Sequence, residues 1–171
     1  MLDSNIRYTY QYDLIAGTLD QIRTYAYGHR AEARPYYVFR RDRQHWICTN
    51  AADAGAPIRN HLRILVDKND PQLSGPPSYF RAEDVPKLYV CGAWRTKQVQ
   101  AQIFWSTPAQ GFSAAQSVTF NAVNEGSIQT YEVDMSASPE WKGWINGLRF
   151  DPVPSGADGE YVDLYSISFK P

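Results

Sequence analysis

The chain has 171 residues, of which 43% are hydrophobic and 20% charged, enough apolar material for one buried core and too much for a disordered chain. A formal net charge of −1 removes both the basic excess that duplex nucleic-acid binding needs and the polybasic signal of an anionic-membrane binder. No apolar run reaches the length of a membrane span, so neither a nucleic-acid partner nor membrane insertion is expected.

Period-two alternation recurs along the chain, while helical periodicity is scarce. Ile6–Tyr12 places its aromatic residues on one face. Gly17 and Asp20 suggest a turn, and 22–27 a second strand that would close a hairpin. Residues 28–35 read as a charged loop and Tyr36–Arg40 as a strand. Trp46–Thr49 is a further short strand, and 51–57 is turn-rich. Leu62, Ile64 and Val66 then alternate with Arg63 and Leu65. The stretch 70–86 carries Pro71, Pro76, Pro77 and Pro86, which predicts a loop and no central strand. Residues 88–94 and 100–106 are apolar enough for central strands, and 107–115 is a loop. Strands are predicted again over 117–120, 129–134, 145–150 and 161–169, each bounded by Gly, Pro, Asn or Ser. Between them, 136–141 holds one helical turn, with Ser138 as cap and Pro139 at its first position. About ten short strands at this spacing predict an all-β protein, an antiparallel β-sandwich or jelly roll.

Catalytic frames are missing from the pattern. Glycoside hydrolysis needs two opposed carboxylates, for which Glu132 with Asp134, or Asp151 with Asp163, are the candidates, but no motif surrounds them. His29, His45 and His61 are isolated, so close metal-ligand spacing is lacking. Neither a nucleophile elbow nor a glycine-rich phosphate loop occurs. The chain is therefore not expected to be an enzyme. Cys48 and Cys91 fall in strand-like runs without a CxxC, and two free thiols are favoured over a disulfide. Met1–Gly17 has no continuous apolar core for a signal peptide.

From Phe39 onward a series of pieces keeps a characteristic order. They are FRRDRQHW with the following CTNA, NDPQL at 69–73, QAQIFWSTPAQGFSAAQSVTF at 100–120, TYEVDMSASPEWKGWINGLRFDP at 130–152 and VDLYSISF at 162–169. In these the chain resembles the galactose-binding-like jelly-roll accessory domains of bacterial polysaccharide-active and surface proteins. The first piece departs from that family, which usually carries acidic and glycine residues before the tryptophan. The resemblance implies a jelly-roll domain over 36–171, preceded by an N-terminal extra hairpin or separate segment over 1–35. It also implies a non-catalytic carbohydrate-binding module with a polysaccharide or oligosaccharide partner and an attached catalytic domain. The location it implies is extracellular or at the cell surface, within a larger protein.

Planar rings stack on the apolar faces of sugars, and polar side chains orient the hydroxyls. Trp46, Trp105 and Trp141 fall at apolar positions of the family and are expected in the core. Trp94 and Trp144 lie at strand ends beside polar residues, where the family more often has smaller ones. They are the expected stacking platform, followed by Tyr79 and Phe80 on the proline-rich loop, with Arg95, Gln98, Gln100 and Asn146 as hydroxyl partners. The family also implies a structural calcium, in which Asp163 resembles the last-strand acid, and the sequence itself offers Asp42 and Asp151 as helpers. The alternative for Asp163 is an ion pair with an arginine such as Arg149. Two functional alternatives stay open beside the sugar-binding reading: a structural or protein-interaction domain with Trp94 and Trp144 buried, and a hydrolase or lyase with an atypical two-acid cleft.

Overall fold

The computed structural model describes residues 12–29 and 31–171. The chain divides into two compact units, Met1–Ala31 and Glu32–Pro171.

In the first unit, the described residues form one helix, α1 (Leu19–His29). Its start is a capping box. The Gln21 amide donates to Thr18 Oγ1 at 3.3 Å, and the Thr18 amide donates back to Gln21 Oε1 at 2.9 Å. Near its end Tyr25 stacks on His29 at 3.8 Å between ring centroids. The strand expected over 22–27 is thus a helical turn and a half. Its hairpin partner, expected over Ile6–Tyr12, lies almost wholly outside the described residues.

The second unit is an antiparallel β-sandwich. Its strands are β1 (Tyr36–Val38), β2 (Ile47–Thr49), β3 (Ala52–Asp53), β4 (Leu62–Leu65), β5 (Gln72–Ser74), β6 (Phe80–Arg81), β7 (Lys87–Arg95), β8 (Gln100–Ser106), β9 (Ser117–Asn121), β10 (Gln129–Asp134), β11 (Trp144–Ile145), β12 (Gly147–Asp151) and β13 (Tyr161–Ser168). One sheet runs β10-β7-β13-β4-β3. Its strand β1 joins the outer edge of β13 beyond β4, pairing Tyr36 with Ser168 while β4 pairs Leu65 with Tyr161. A register shift between Leu164 and Ser166 marks a bulge in β13. The second sheet runs β2-β5-β12-β8-β9, and β6 with β11 forms a small ribbon of its own.

Alternation decides what each sheet buries. On β7, Leu88, Val90 and Trp94 point inward, and on β8 Ala101, Ile103 and Trp105 do the same. Leu148 and Phe150 of β12 and Val162, Leu164 and Ile167 of β13 complete the facing layers. Trp94 sits where the layers meet, edge-on to Tyr131 at 5.2 Å, Phe120 at 6.3 Å and Phe150 at 6.4 Å. Its indole N–H donates to the Pro152 carbonyl at 3.0 Å, so the polar handle is satisfied inside the core. Gly92 makes room for it, since a Cβ there would lie 2.6 Å from the indole.

Three local expectations need correction. The proline-rich stretch contains two strands, β5 and β6, and β5 lies inside its sheet between β2 and β12. The prolines flank Gln72–Ser74 instead of interrupting it, so the ladder keeps its donors. The turn-rich 51–57 contributes the two-residue strand β3. The strand expected over 145–150 breaks at Asn146 into β11 and β12. Ser138 does cap a turn, its Oγ accepting from the Glu140 amide at 3.3 Å, directly after a 3-10 turn at Met135–Ala137. Cys48 and Cys91 are both free thiols.

Candidate functional site

The outer face of the five-stranded sheet is built by the residues that alternate with the core positions. Gln100, Gln102 and Phe104 of β8 lie opposite Ala101, Ile103 and Trp105. Arg149 and Asp151 of β12 lie opposite Leu148 and Phe150. The register sets Arg149 beside Phe104 and Asp151 beside Gln102. A third wall comes from the turn before β5. Asp70 adopts the left-handed backbone conformation (φ 54°) that a short polar residue tolerates, and its amide donates to the Pro154 carbonyl at 3.0 Å. Together with Val153 and Pro154 these residues enclose a cleft of about 230 Å³.

The cleft is polar with one aromatic floor. The Arg149 guanidinium lies 3.9 Å from the centroid of the Phe104 ring and 5.7 Å from that of Phe112, a cation within reach of two ring faces. Its Nη2 donates to Asp151 Oδ2 at 2.9 Å. Gln102 Nε2 donates to Ser117 Oγ at 2.7 Å, and Gln72 Nε2 donates to Asp70 Oδ2 at 2.6 Å. Arg149 Nε and Asp151 Oδ1 are buried without a hydrogen-bond partner. Burial pushes the Asp151 carboxyl up to about 6. Arg149 pulls it down by less, and Asp70 adds a small upward push.

Larger hollows exist, of about 350, 440, 510 and 820 Å³; those of 440, 510 and 820 Å³ are each lined by one short stretch of chain, within 53–63, 20–29 and 42–47, and that of 350 Å³ by residues 107–116 and 140–144 beside Trp144. The 230 Å³ cleft gathers donors, acceptors and a ring from β8, β12 and two turns around two buried polar atoms that lack partners, and that convergence is what a recognition site requires.

The expected site residues separate. Trp94, Tyr79 and Phe80 are all 0% exposed, so none offers a ring face to a ligand. Trp144 is half-buried and stacks on Tyr79 at 4.3 Å and 3°, with the Arg81 guanidinium 5.2 Å from its centroid. It lines a separate hollow with Gln110, Gln116, Glu140 and Lys142. Arg95 ends β7 in the other sheet, Gln98 donates to Ser155 Oγ, and Asn146 accepts from Ser106 Oγ at 2.7 Å. Gln100 and Asp151 are brought together in the cleft. Trp46, Trp105 and Trp141 are in the core as expected.

The three acids expected at calcium do not share a site. Asp42 accepts from the Gln44 amide at 2.8 Å in its own turn. Asp151 and Asp163 lie on the outer faces of opposite sheets. Asp163 accepts from Arg63 Nε and Nη2 at 2.7 and 2.8 Å, with His61 at 3.4 Å, so an arginine other than Arg149 supplies its positive charge. Among the described residues no group of three or more His, Cys, Asp or Glu side chains converges as metal ligands would. Glu132 is paired with Lys87, and Asp134 accepts from Ser136, so neither carboxylate faces a cleft partner. Because Asp163 is only 9% exposed, Arg63→Ala is expected to lower stability by about 1 kcal/mol in urea unfolding, the loss limited by the nearby His61.

Sequence reasoning missed Gln102, Phe104, Phe112 and Asp70, and considered Arg149 only as a partner for Asp163. The signal was present for most of them: in QAQIFWS and GLRFD, polar and aromatic residues alternate with the core residues.

The sequence matches no protein-family model and no curated protein. Solved structures do share its architecture. A low-affinity xylan-binding module, CBM86, from the xylanolytic gut symbiont Roseburia intestinalis superposes with a TM-score of 0.52 at 13% identity, covering 79% of this chain and 92% of that one. Two variants of CBM29-2, a family 29 carbohydrate-binding module, give TM-scores of 0.52 and 0.51 at 12% identity. They cover 79% and 77% of this chain and 91% and 89% of theirs. At these identities the likeness establishes the fold: the chain is an antiparallel jelly-roll β-sandwich of the kind those carbohydrate-binding modules share.

Proposed function

We propose that this chain is a non-catalytic carbohydrate-binding module that takes a polysaccharide or oligosaccharide on the outer face of its five-stranded sheet. The observation that carries this reading is the cleft of Asp70, Gln100, Gln102, Arg149 and Asp151 around the Phe104 ring. Amide, guanidinium and carboxylate groups match a polyhydroxylated ligand, because a hydroxyl both donates and accepts. Solved domains of the same fold are described as binding xylan or other carbohydrate, which supports the class of ligand. In this reading the domain acts beside a catalytic domain in an extracellular or surface protein and brings it to its polymer. Asp70 and Asp151 put two carboxylates in one cleft, but Asp151 is tied to Arg149, an arrangement suited to gripping a ligand more than to proton transfer.

Affinity electrophoresis through gels containing soluble polysaccharides tests the reading. Retardation by at least one polymer is expected, with no release of reducing ends. Arg149→Ala should weaken retention about tenfold, the effect of losing one charged hydrogen-bonding group. Ile128→Ala, a 57% exposed residue away from the cleft, should leave it unchanged. Migration unaffected by every polymer tried, or cleavage of one, would overturn this assignment.

A further inference from the structure

Within the cleft, one ion pair is left half-matched. Arg149 Nη2 and Asp151 Oδ2 bond to each other at 2.9 Å, while Arg149 Nε and Asp151 Oδ1 have no partner and are closed to water. A buried donor and a buried acceptor both left unmatched on one ion pair are unusual, since buried polar groups are nearly always satisfied. Arg149 lies on Phe104, and the two residues sit two positions apart on the same face of β12.

Resting on the carbohydrate-binding reading, we propose that this pair is a hydroxyl clamp, in which one sugar hydroxyl accepts from Arg149 Nε and donates to Asp151 Oδ1, and that the module therefore selects neutral glycans over uronic-acid polymers. The elimination is chemical. A carboxylate can only accept, so it would leave Asp151 Oδ1 unmatched and face it with like charge. An ammonium can only donate, so it would leave Arg149 Nε unmatched. A hydroxyl satisfies both atoms at once. Charge points the same way. The cleft is lined by two carboxylates, Asp70 and Asp151, and one cation, Arg149, which Asp151 already neutralises. A uronate entering there meets net negative charge, one of its sources the buried Asp151. Because both atoms are closed to water in the free protein, a covering side chain must turn to admit the sugar. Gln100 and Gln102 are long side chains lining the cleft; Gln100 is exposed and can turn, and Gln102 can do so by giving up its bond to Ser117 Oγ.

The test uses the full chain at pH 7.5. Calorimetric titration compares neutral xylo- and cello-oligosaccharides with oligogalacturonates, and the Arg149 Nε–Hε resonance is followed by NMR. Binding of a neutral oligosaccharide is expected, with a shifted Nε–Hε signal and an affinity at least tenfold above that for the uronate. Asp151→Asn should weaken the neutral ligand about tenfold, and Asp70→Asn with Asp151→Asn should strengthen uronate binding. Equal or tighter uronate binding by the unmodified protein would overturn the clamp. So would neutral binding that leaves the Arg149 signal unmoved, and in both cases the carbohydrate reading would stand. Binding to neither class would overturn the clamp, and unaffected migration in every polysaccharide gel as well would remove the carbohydrate reading.

Discussion

Replacing Trp94 with alanine is expected to cost the protein about 4 kcal/mol, the largest loss from any single side chain on β7. The indole is fully buried between the sheets and touches rings from β9, β10 and β12. Its removal leaves a cavity that Gly92, which has no side chain, cannot fill, and it orphans the Pro152 carbonyl that the indole N–H satisfies. Phenylalanine keeps much of the volume and loses the hydrogen bond, so Trp94→Phe should cost roughly half as much. Guanidinium unfolding followed by circular dichroism measures both. A midpoint for Trp94→Ala indistinguishable from the unmodified protein would mean that the ring does not sit between the layers.

The second large effect is on pH dependence. Asp151 titrates at about 6 in the folded protein, against 3.8 for the ordinary carboxyl, because burial disfavours its charge more than Arg149 favours it. The folded state therefore binds this proton more tightly than the unfolded chain does. Stability contributed by Asp151 is lowest above pH 6, rises as pH falls from about 6 towards 4, and levels off once both states are protonated. Between pH 7.5 and pH 5 the gain from this group is roughly 1.4 kcal/mol, about one unit of proton linkage. Comparing the unmodified protein with Asp151→Asn isolates it, because the other titrating groups are common to both. The difference in unfolding free energy between the two pH values should be smaller in the variant by about that amount. An identical pH profile would show that Asp151 is solvated normally.

The layered architecture was legible because alternation is a property of neighbouring residues. Leu62, Ile64 and Val66, or Ala101, Ile103 and Trp105, declare a buried face without help from the rest of the chain. Trp94 shows where local reading misleads. Its polar neighbours Arg95 and Lys97 suggested a strand end open to solvent, yet counting by twos from Leu88 puts it on the inward face. For α1, the Thr18–Gln21 capping pair was the available sign, and the strand reading of 22–27 did not use it. The cleft was half legible. Gln100 and Asp151 could be named from type and position, but their meeting depends on β8 and β12 being neighbours, as does the stacking of Arg149 on Phe104. Pairing between strands about forty residues apart is a tertiary fact. Asp70 reaches the same place only because its turn crosses the segment at Pro154.

Strand β13 lies at the middle of the six-stranded sheet, with β7 on one side and both β1 and β4 on the other. During synthesis, every strand it joins emerges from the ribosome before it does. Until 161–168 appear, β1, β4 and β7 each present an open row of amides and carbonyls, and half the core lacks its lid. The six-stranded sheet therefore closes in a late, long-range step, and the strand edges left open until then are where a nascent chain is most exposed to pairing with another.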